Sequence, residues 1–338
     1  MPNASHINLN PYPLMLYGSP SGVKHSLVVK VAKLLKKPLS PSTYKEFKDG
    51  SFLVHHNDSV RDRDVYLILQ PRFGNREILS YDLDECESMV LALKQGEPSR
   101  ITVVIPCLPY SRQDRGSNHR EPVLVQKVPM RLQMAGAHRL VTLRLHNPAS
   151  YNAHPSTIPI VDVNVDDLLV KHIRSKKFDL KKFKIVAPDL GAAPSCRKLA
   201  RELGIPENII IINKVRDPKK ANHNEVMEVI GDAKGFNCII PDDMADTCGT
   251  AIKSLYALKE NGAKDVYFTA THAVLSGTAV QDLNKAPFAG IWFTDSCIEG
   301  EKGKIKNLEI ISTAKLIAKI IDNLHNGKSV TELWHNGK

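Results

Sequence analysis

Two adjacent carboxylates, Asp242 and Asp243, stand at the end of an apolar run and directly before a short loop of small and hydroxyl residues. Carboxylates can accept the hydrogen bonds of a vicinal diol. In the loop, the hydroxyls of Thr247 and Thr250 can help the backbone amides to surround a phosphate at the positive end of the next helix, and Gly249 allows close approach. A diol site and a phosphate site one loop apart predict a ribose 5-phosphate ligand.

A structural interpretation of the same loop stands beside this one. Asp246 or Thr247 could simply cap the helix while the two carboxylates are solvated, because short motifs of this kind often occur without a ligand. The context favours a ligand site, because a predicted strand, Asn237–Pro241, precedes the loop and a predicted helix, Ala251–Asn261, follows it.

A second polar segment follows the predicted strand Ile101–Ile105. Its Arg112 could donate paired hydrogen bonds to phosphate oxygens, and its Gln113 could hydrogen-bond to a nucleotide. Taken alone, Arg112 and Arg115 would be surface charges more often than ligands, so the segment needs support from other motifs.

Both segments need a sheet to position them, and short β-branched runs alternate with helical patterns along most of the chain. The alternation predicts parallel sheets covered by helices, an α/β architecture that collects ligands at the carboxyl ends of its strands. Predicted helices include Lys24–Lys37, Ala193–Leu203 and about Ser312–Asn326. The predicted strands are Leu14–Tyr17, Val65–Leu69, Ile101–Ile105, Arg139–Leu145, Ile158–Asp162, Lys184–Ala187, Ile209–Asn213, Asn237–Pro241, Val266–Ala270 and Gly290–Phe293.

The length of 338 residues predicts two domains, each large enough to bury a core of its own. The Pro- and Asx-rich segment Tyr151–Asp167 is the predicted junction. We expect domains over residues 14–160 and 161–311, followed by a helical segment over 312–333 that packs back on the body.

The composition excludes several classes of protein. An apolar share of 42% is too high for a disordered chain, and six scattered cysteines do not suit a disulfide scaffold or a zinc site. No apolar run could span a bilayer, and Met1–His6 lacks the features of a secretory signal, so we expect a cytoplasmic protein without a membrane partner. The net charge of +10 suits nucleic acid, but the aromatic share is only 6% and the lysines are scattered, so small polyanionic molecules explain the charge equally well.

The motifs together resemble a known family. The loop Asp242–Thr250 resembles the phosphoribosyl-diphosphate (PRPP) loop shared by type I phosphoribosyltransferases and ribose-phosphate pyrophosphokinases (PRPP synthetases), and Pro109–Arg115 closely matches the ATP-binding segment of the synthetases alone. Thr271–Gly277 and His325–Val330 extend the likeness, which covers nearly all of Leu14–Leu333. The resemblance implies two phosphoribosyltransferase-like (type I) domains, each a mainly parallel sheet flanked by helices. It also implies transfer of the diphosphoryl group of Mg-ATP to the 1-hydroxyl of ribose 5-phosphate, giving PRPP and AMP for nucleotide biosynthesis.

The resemblance assigns a role to each site residue. For ATP the residues are Phe47, Asp49, Arg112, Gln113 and Asp114. For ribose 5-phosphate they are Asp189, Asp242, Asp243, Asp246, Thr247, Cys248, Gly249 and Thr250. His146 and Asp189 are assigned to the Mg²⁺ cofactor, and Lys214 and Arg216 are assigned to catalysis, where they would stabilise charge on the transferred group. The implied partners are these two substrates and further copies of the chain, as a dimer or hexamer, or a paralogue with which the chain co-assembles.

Simpler explanations exist for some of these residues, and some positions depart from the family pattern. His146 could be a structural histidine and Asp189 a helix cap. Arg144 stands where the family typically has an acidic residue, Ser51 where it often has Glu, and Ala192 replaces the second glycine of Asp-x-Gly-Gly. The segment 147–156 is also unlike the family.

These departures keep alternatives open. One is a weakly active or non-catalytic subunit that regulates an active synthetase by co-assembly. A phosphoribosyltransferase would use the same ribose loop but consume PRPP, and a nucleic-acid-binding protein is suggested by charge alone. The complete ribose loop, together with Lys214 and Arg216, favours an active synthetase.

Overall fold

The computed structural model describes residues 11–19, 26–116, 119–149, 158–216, 225–297 and 304–333. In chain order the elements are β1 (Leu14–Gly18), α1 (Ser26–Leu35), β2 (Ser42–Glu46), β3 (Phe52–His56), β4 (Asp64–Ile68), α2 (Arg76–Gln95), β5 (Arg100–Val104), α3 (Lys127–Ala135), β6 (Arg139–Leu143), β7 (Ile160–Val163), α4 (Asp166–Ser175), β8 (Phe183–Ala187), α5 (Ala193–Leu203), β9 (Ile210–Arg216), β10 (Glu225–Ile230), β11 (Asn237–Ala245), α6 (Gly249–Glu260), β12 (Val266–Ala273), α7 (Ala279–Lys285), β13 (Gly290–Thr294), β14 (Leu308–Ile311) and α8 (Ala314–His325).

The described residues form two compact units. The first unit contains the residues up to Asn164, those around Ser296 and those from Ser312 onward, while the second contains the stretch from Val165 to Asp295 and the residues up to Ile311. The chain therefore returns to the first unit twice, briefly around Ser296 and then from Ser312 onward with α8.

The first unit is built on a five-stranded parallel sheet with the order β1-β4-β5-β6-β7. Val65 and Leu67 of β4 belong to the same buried cluster as Met89 and Leu93 of α2, because alternate residues of a strand share a face. Burial of each such side chain contributes about 2 kcal/mol. The antiparallel hairpin β2–β3 belongs to the same unit.

The second unit is built on a seven-stranded sheet with the order β10-β9-β8-β11-β12-β13-β14, parallel except for the β9–β10 hairpin. Both faces of its centre are buried: Ile240 of β11 belongs to one apolar cluster and its neighbour Ile239 to another. This explains why the strand is a continuous apolar run in the sequence. The predicted α/β class, with mainly parallel sheets flanked by helices, is confirmed.

Every predicted strand is present, but four of them, β6, β9, β11 and β12, end two or more residues away from the predicted end. β11 continues past Pro241 because β12 still pairs with it, as far as Ala245 opposite Ala273, whereas pairing with β8 stops at Ile239. A proline lacks a backbone donor and is tolerated where one side of the strand is unpaired. β6 ends at Leu143, two residues early, because Arg144 adopts a left-handed backbone with φ of 40°.

Four strands were not predicted from the residue pattern: β2, β3, β10 and β14. β2 is polar, with the sequence Ser-Thr-Tyr-Lys-Glu, and β10 is held by its antiparallel pairing with β9. Neither has the apolar run by which a buried strand is recognised.

Within the described parts of the chain, no helix is both long enough and apolar enough to cross a membrane.

Candidate active site

Three neighbouring strands of the second unit end close to the predicted ribose residues. β9, β8 and β11 are adjacent and parallel, so their carboxyl ends lie at one edge of the sheet. Asp189 follows β8, the Asp242–Asp243 pair follows the apolar part of β11, and Lys214 lies in the last part of β9. The fold therefore brings the candidate residues of this unit to the edge where α/β proteins bind ligands.

The carboxylate pair lies within β11 and not in the loop after it. Asp242 and Asp243 are partly buried, and the Asp243 amide donates a 2.8 Å hydrogen bond to Asp242 Oδ1. Burial, reinforced by the adjacent Asp243 carboxyl, raises the pKa of Asp242 to about 7. Once ionised, the carboxyl can accept hydrogen bonds from both hydroxyls of a diol, so this site should bind a diol best above that pKa.

The loop after β11 has the shape of an anion cradle. Cys248 adopts a left-handed conformation with φ of 61° and occupies the N-cap of α6, without a capping hydrogen bond from its side chain. The N-cap is therefore neither Asp246 nor Thr247, contrary to the structural interpretation of this loop. A Cβ added at Gly249 would meet only the Thr247 hydroxyl, at 3.9 Å, so open space lies over the start of the helix.

The thiol in this loop is not a nucleophile. Cys248 is buried, and burial, followed by the nearby Asp242 and Asp246 charges, raises the pKa of its thiol to about 12. Its Sγ lies 3.7 Å from the Asp246 carbonyl oxygen. Cys248 therefore shapes the loop, while its neighbours Thr247 (exposed) and Thr250 (half-buried) are accessible to a ligand.

Asp189 holds the turn before α5 and is also accessible to a ligand, so the two interpretations of this residue are compatible. One oxygen, Oδ1, accepts a 2.9 Å hydrogen bond from the Ala192 amide just before α5, yet the residue is exposed. A Cβ at Gly191 would lie 3.2 Å from that oxygen, so glycine leaves room for the turn. Ala192, where the family has a second glycine, has an ordinary φ of −80° and needs no glycine.

The two predicted catalytic cations lie in a strand. Lys214 pairs with Met227, and Arg216 pairs with Glu225, in the antiparallel β9–β10 hairpin. The stretch 219–222, which follows these residues and carries two further lysines, lies outside the described residues. The backbone therefore places Lys214 and Arg216 three to five residues beyond Ile211, the last β9 residue that pairs with β8.

In the first unit, the predicted nucleotide segment is tied to the loop after the neighbouring strand. Gln113 bonds through its amide to the Tyr110 carbonyl (2.9 Å) and through its carbonyl to the Val125 amide (3.1 Å), so that its backbone is fixed. The Asp114 carboxylate accepts a 2.7 Å hydrogen bond from the Asn147 side chain. Arg112 and Gln113 are exposed, so both are accessible to a ligand.

A sharp turn after β6 presents His146 to solvent. The Arg144 amide donates to the Val163 carbonyl at 3.0 Å, and the Leu145 amide donates to Asp162 Oδ1 at 3.0 Å. These bonds hold the left-handed turn at Arg144, and His146 beyond it is exposed. The imidazole is therefore not a buried structural histidine. His146 and Asp189 belong to different units, so their shared metal site stays a prediction.

The β2–β3 hairpin carries the remaining predicted nucleotide residues. Phe47 is 43% exposed, with the Lys45 ammonium 5.2 Å from its ring centroid. Asp49 accepts hydrogen bonds from the Ser51 hydroxyl (2.7 Å) and amide (3.0 Å), which lower the pKa of its carboxyl. Ser51, a departure from the family, thus holds the hairpin turn. An exposed aromatic ring beside a cation and a carboxylate suits a nucleobase.

One contributor to the site was missed in the sequence. Asn147 was noted only as the start of a segment unlike the family, yet its side chain joins the loops after β5 and β6. No residue pattern signals a hydrogen bond between positions 33 apart. The only available hint was that both loops follow strands expected to be neighbours.

Comparisons with known proteins extend these local observations. The family model of the N-terminal domain of ribose phosphate pyrophosphokinase matches residues 21–136, and that of the phosphoribosyl synthetase-associated domain matches residues 200–335. Ribose-phosphate pyrophosphokinases of Fusobacterium nucleatum and Campylobacter jejuni are 35% and 34% identical to the chain, over 91% and 90% of it and 95% and 94% of their own lengths. The crystal structure of phosphoribosylpyrophosphate synthetase from Mycobacterium smegmatis matches with a TM-score of 0.83 at 31% identity, covering 93% of this chain and 99% of that one. The similarity thus extends over both units.

Proposed function

The chain belongs to the ribose-phosphate pyrophosphokinase family, and from this membership we propose the reaction that its residues perform. The 1-hydroxyl oxygen of ribose 5-phosphate forms a bond to the β-phosphorus of Mg-ATP. The bond from that phosphorus to the oxygen shared with the α-phosphate breaks, and AMP leaves while the hydroxyl proton passes to solvent. The products are PRPP and AMP, and the chain is a transferase of nucleotide biosynthesis.

The observation that carries the proposal is the ribose site of the second unit. The Asp242–Asp243 carboxylate pair, in which Asp242 has a pKa of about 7, is followed by the start of α6. The space beside Gly249 at that helix start is open. Asp242 and Asp243 hold the diol, while Thr247 and Thr250 join the loop amides around the 5-phosphate. Asp246 and Cys248 complete the loop, and the exposed Asp189 approaches from the neighbouring strand β8.

ATP binds to the first unit in this proposal. Arg112 and Gln113 are exposed on a fixed backbone, Asp114 anchors the segment, and the hairpin of Phe47 and Asp49 offers an aromatic surface to the base. Because phosphoryl transfer needs little covalent chemistry from the protein, catalysis consists of alignment and neutralisation of charge. Lys214 and Arg216 supply that neutralisation at the transferred group.

Mg²⁺ fits the donors that the chain offers. His146 and Asp189 are exposed, and Mg²⁺ is commonly held by one or two protein ligands together with substrate phosphates and water. When bound, the cation neutralises charge on the phosphates. The protein's own part is to keep His146 outward through the turn at Arg144 and to keep one Asp189 oxygen fixed by the Ala192 amide.

A direct assay tests the proposal. Purified protein with ribose 5-phosphate, ATP and Mg²⁺ is expected to release AMP and PRPP in equal amounts, with chelation of the metal stopping the reaction. If micromolar protein releases no AMP or PRPP, but its addition stimulates an active synthetase, the chain is the regulatory subunit instead. Turnover that needs a nucleobase and PRPP would identify a phosphoribosyltransferase.

The assembly and location follow the family in this proposal. We expect a cytoplasmic homo-oligomer, as a dimer or hexamer, and light scattering of the purified chain measures which one forms. Of the residues 147–156 that differ from the family, 150–156 lie outside the described residues.

Removal of the Asn147 amide should affect ATP and not ribose 5-phosphate. Asn147→Ala breaks the 2.7 Å bond to Asp114 and frees the nucleotide segment, so we expect the KM for ATP to rise about 5-fold, the equivalent of about 1 kcal/mol. The KM for ribose 5-phosphate should stay constant. Steady-state kinetics measure both constants, with Asn323→Ala, which removes a bond to the Ser329 carbonyl, as the control. Equal changes in both KM values would contradict a local role.

Arg144 should set the metal requirement. Restoring the family's acid with Arg144→Asp exchanges a positive charge for a negative one two residues before His146, so the half-saturating Mg²⁺ concentration should fall several-fold. Arg144→Gln should lie between the two. Titration of activity with Mg²⁺ at fixed ATP measures the shift, and Mn²⁺ binding followed by electron paramagnetic resonance provides a readout without turnover. Unchanged metal affinity in both variants would show that Arg144 points away.

A further inference from the structure

The β2–β3 hairpin carries two of the proposed nucleotide residues but has few backbone bonds to the rest of its unit. Among the described residues, β2 and β3 pair only with each other. Just before β2, the Ser40 amide donates a 2.7 Å hydrogen bond to the Leu16 carbonyl of β1, which fixes the base of the hairpin. A two-stranded hairpin by itself is at best marginally stable in water. Contacts between side chains must therefore hold its tip in place.

One face of the hairpin is apolar and packs inside the unit. Tyr44 and Val54 are in register, and Phe52 lies on their face because alternate residues of a strand share a face. Val54 is buried in the main apolar cluster of the unit, and Tyr44 and Phe52 pack against that cluster. Lys45 projects from the opposite face, and its ammonium lies over the exposed Phe47 ring. The packed face is therefore separate from the side that carries the proposed nucleotide ring.

Tyr81 of α2 contacts both strands through their packed face. Its ring centroid lies 5.7 Å from that of Phe52, with 47° between the ring planes, and 6.1 Å from that of Tyr44, with 65° between the planes. The Tyr44 and Phe52 ring centroids are themselves 5.5 Å apart. Aromatic rings at such separations and tilts attract each other beyond the effect of burial alone. The three rings therefore join the hairpin to α2.

The helix side of this contact is rigid. Asn75 caps α2, since its side chain accepts hydrogen bonds of 2.8 and 3.1 Å from two amides of the first turn. Next to Tyr81, the buried Asp82 accepts hydrogen bonds from the Arg72 amide (2.7 Å) and guanidinium (3.0 Å). Cys86, about one turn further on, is buried in the apolar cluster of the unit. Without the Tyr81 ring, α2 would stay in place and the hairpin would lose its anchor.

We propose that Tyr81 is a positioning residue for ATP. Its ring holds the hairpin against α2, and the hairpin in turn holds Phe47 and Asp49 where they meet the base. This role rests on the proposed function, in which those two residues contact the base. Tyr81 acts through the hairpin, because it contacts the face opposite Lys45. Other residues bind the phosphates in that function, so loss of the ring should weaken ATP binding and leave the transfer step unaffected.

Equilibrium titration of the full chain with Mg-ATP, and separately with ribose 5-phosphate, tests this role without the need for turnover. We expect Tyr81→Leu, which keeps an apolar side chain but removes the ring, to raise the Kd of Mg-ATP about 10-fold and to leave the Kd of ribose 5-phosphate unchanged. Tyr81→Phe keeps the ring and should stay within about 2-fold of the unaltered protein. Tyr256→Leu, the same exchange at an exposed tyrosine of α6, is the matched control and should change neither constant. An unchanged Kd of Mg-ATP in Tyr81→Leu, or an equal rise for both ligands, would overturn the proposal.

Steady-state kinetics distinguish a failure of this proposal from a failure of the proposed function. If the unaltered protein makes PRPP, Tyr81→Leu should raise the KM for ATP about 10-fold and change kcat by less than about 2-fold. A fall in kcat with an unchanged KM would overturn the positioning role while the proposed function stands. If the unaltered protein makes no PRPP, the proposed function fails, and the two dissociation constants still decide the role of Tyr81.

A second variant tests the same contact from the hairpin side and leaves α2 unaltered. Phe52→Leu removes the ring that faces Tyr81 and should raise the Kd of Mg-ATP by a similar factor. Because both variants break one contact, the double variant should bind no more than about 2-fold more weakly than either single variant. Effects that multiply would show that the two rings act independently and would overturn the proposal.

Hydrogen exchange measures the anchoring of the hairpin directly. The amides of β2 and β3 should exchange about 10-fold faster in Phe52→Leu and in Tyr81→Leu than in the unaltered protein, while the amides in the middle of α2 keep their rates. Unchanged exchange in the hairpin would show that the rings do not hold it, and this result would also overturn the proposal.

Discussion

Lys214→Ala should lower the rate of PRPP formation by about 10³-fold while the dissociation constants of ATP and ribose 5-phosphate change by less than about 3-fold. A preorganised cation aimed at developing charge acts mainly in the transition state, so its removal lowers kcat more than it weakens binding. Rapid-quench measurement of AMP release, together with equilibrium titration of each substrate, separates the two effects.

Matched variants show whether the effect belongs to this position. Lys234→Ala removes an exposed lysine of the same unit and should leave turnover unchanged. Lys214→Arg keeps the charge but changes its geometry, so an intermediate rate is expected, and Arg216→Ala should resemble Lys214→Ala. A Lys214→Ala enzyme with normal turnover would remove this residue from the catalytic machinery. A rate loss fully explained by weaker ATP binding would make Lys214 a binding residue.

The buried strands could be predicted because their environment leaves a direct trace in the sequence. A central parallel strand is covered on both faces, so Ile239 and Ile240 can both be apolar and the whole run stands out. The end of such a strand leaves a weaker trace. Pro241 suggested an end, but pairing on the β12 side alone carries β11 on through the two carboxylates.

The candidate ribose site could be proposed from the sequence because its residues are close together in the chain. Its carboxylates, hydroxyls and glycine lie within Asp242–Thr250, where one strand end and one helix start position them all. The Asp114–Asn147 bond and the left-handed turn at Arg144 depend on pairing between strands distant in sequence, and no periodic pattern encodes that pairing. Ser51 was noted only as a departure, whereas its contact with Asp49 gives it a role within the hairpin.

Some basic residues of the chain are available to a ligand, whereas others are paired with carboxylates of the chain itself. In the first unit, Arg112 is exposed beside the predicted nucleotide site, as the proposed chemistry requires. Other arginines are paired with carboxylates of the chain. Arg72 donates two hydrogen bonds to buried Asp82, and Arg100 donates two to buried Asp64. Such pairs are neutral and contribute nothing to the net charge of +10, which therefore comes from the remaining basic residues, among them Arg112 at the predicted nucleotide site.

Asp243→Asn should move the pH dependence of ribose 5-phosphate use. In the unaltered enzyme, burial and then the Asp243 carboxyl raise the pKa of Asp242 to about 7, so this acceptor becomes protonated, and kcat/KM for ribose 5-phosphate falls, as the pH drops through 7. Asparagine removes the like charge and offers an amide donor, and both changes lower the pKa of Asp242. The acidic limb should therefore shift by about 1 pH unit or more toward lower pH, while loss of one diol acceptor weakens ribose 5-phosphate binding about 10-fold at pH 8.

Comparing Asp243→Asn with the unaltered enzyme separates the titration of Asp242 from that of other groups. The Tm of the two proteins gives a second measurement. The substrate phosphate titrates near pH 6 in both enzymes, so only the difference between the profiles reports the protein. Because the folded pKa of Asp242 lies above its unfolded value, this group costs stability increasingly as the pH rises from about 4 through 7, and Asp243→Asn should raise the Tm at pH 8 but not at pH 4. Asp232→Asn, at an exposed site of the same unit, should change neither profile. Identical acidic limbs in the two enzymes would show that the pair does not share its charge and would contradict its assignment to the diol.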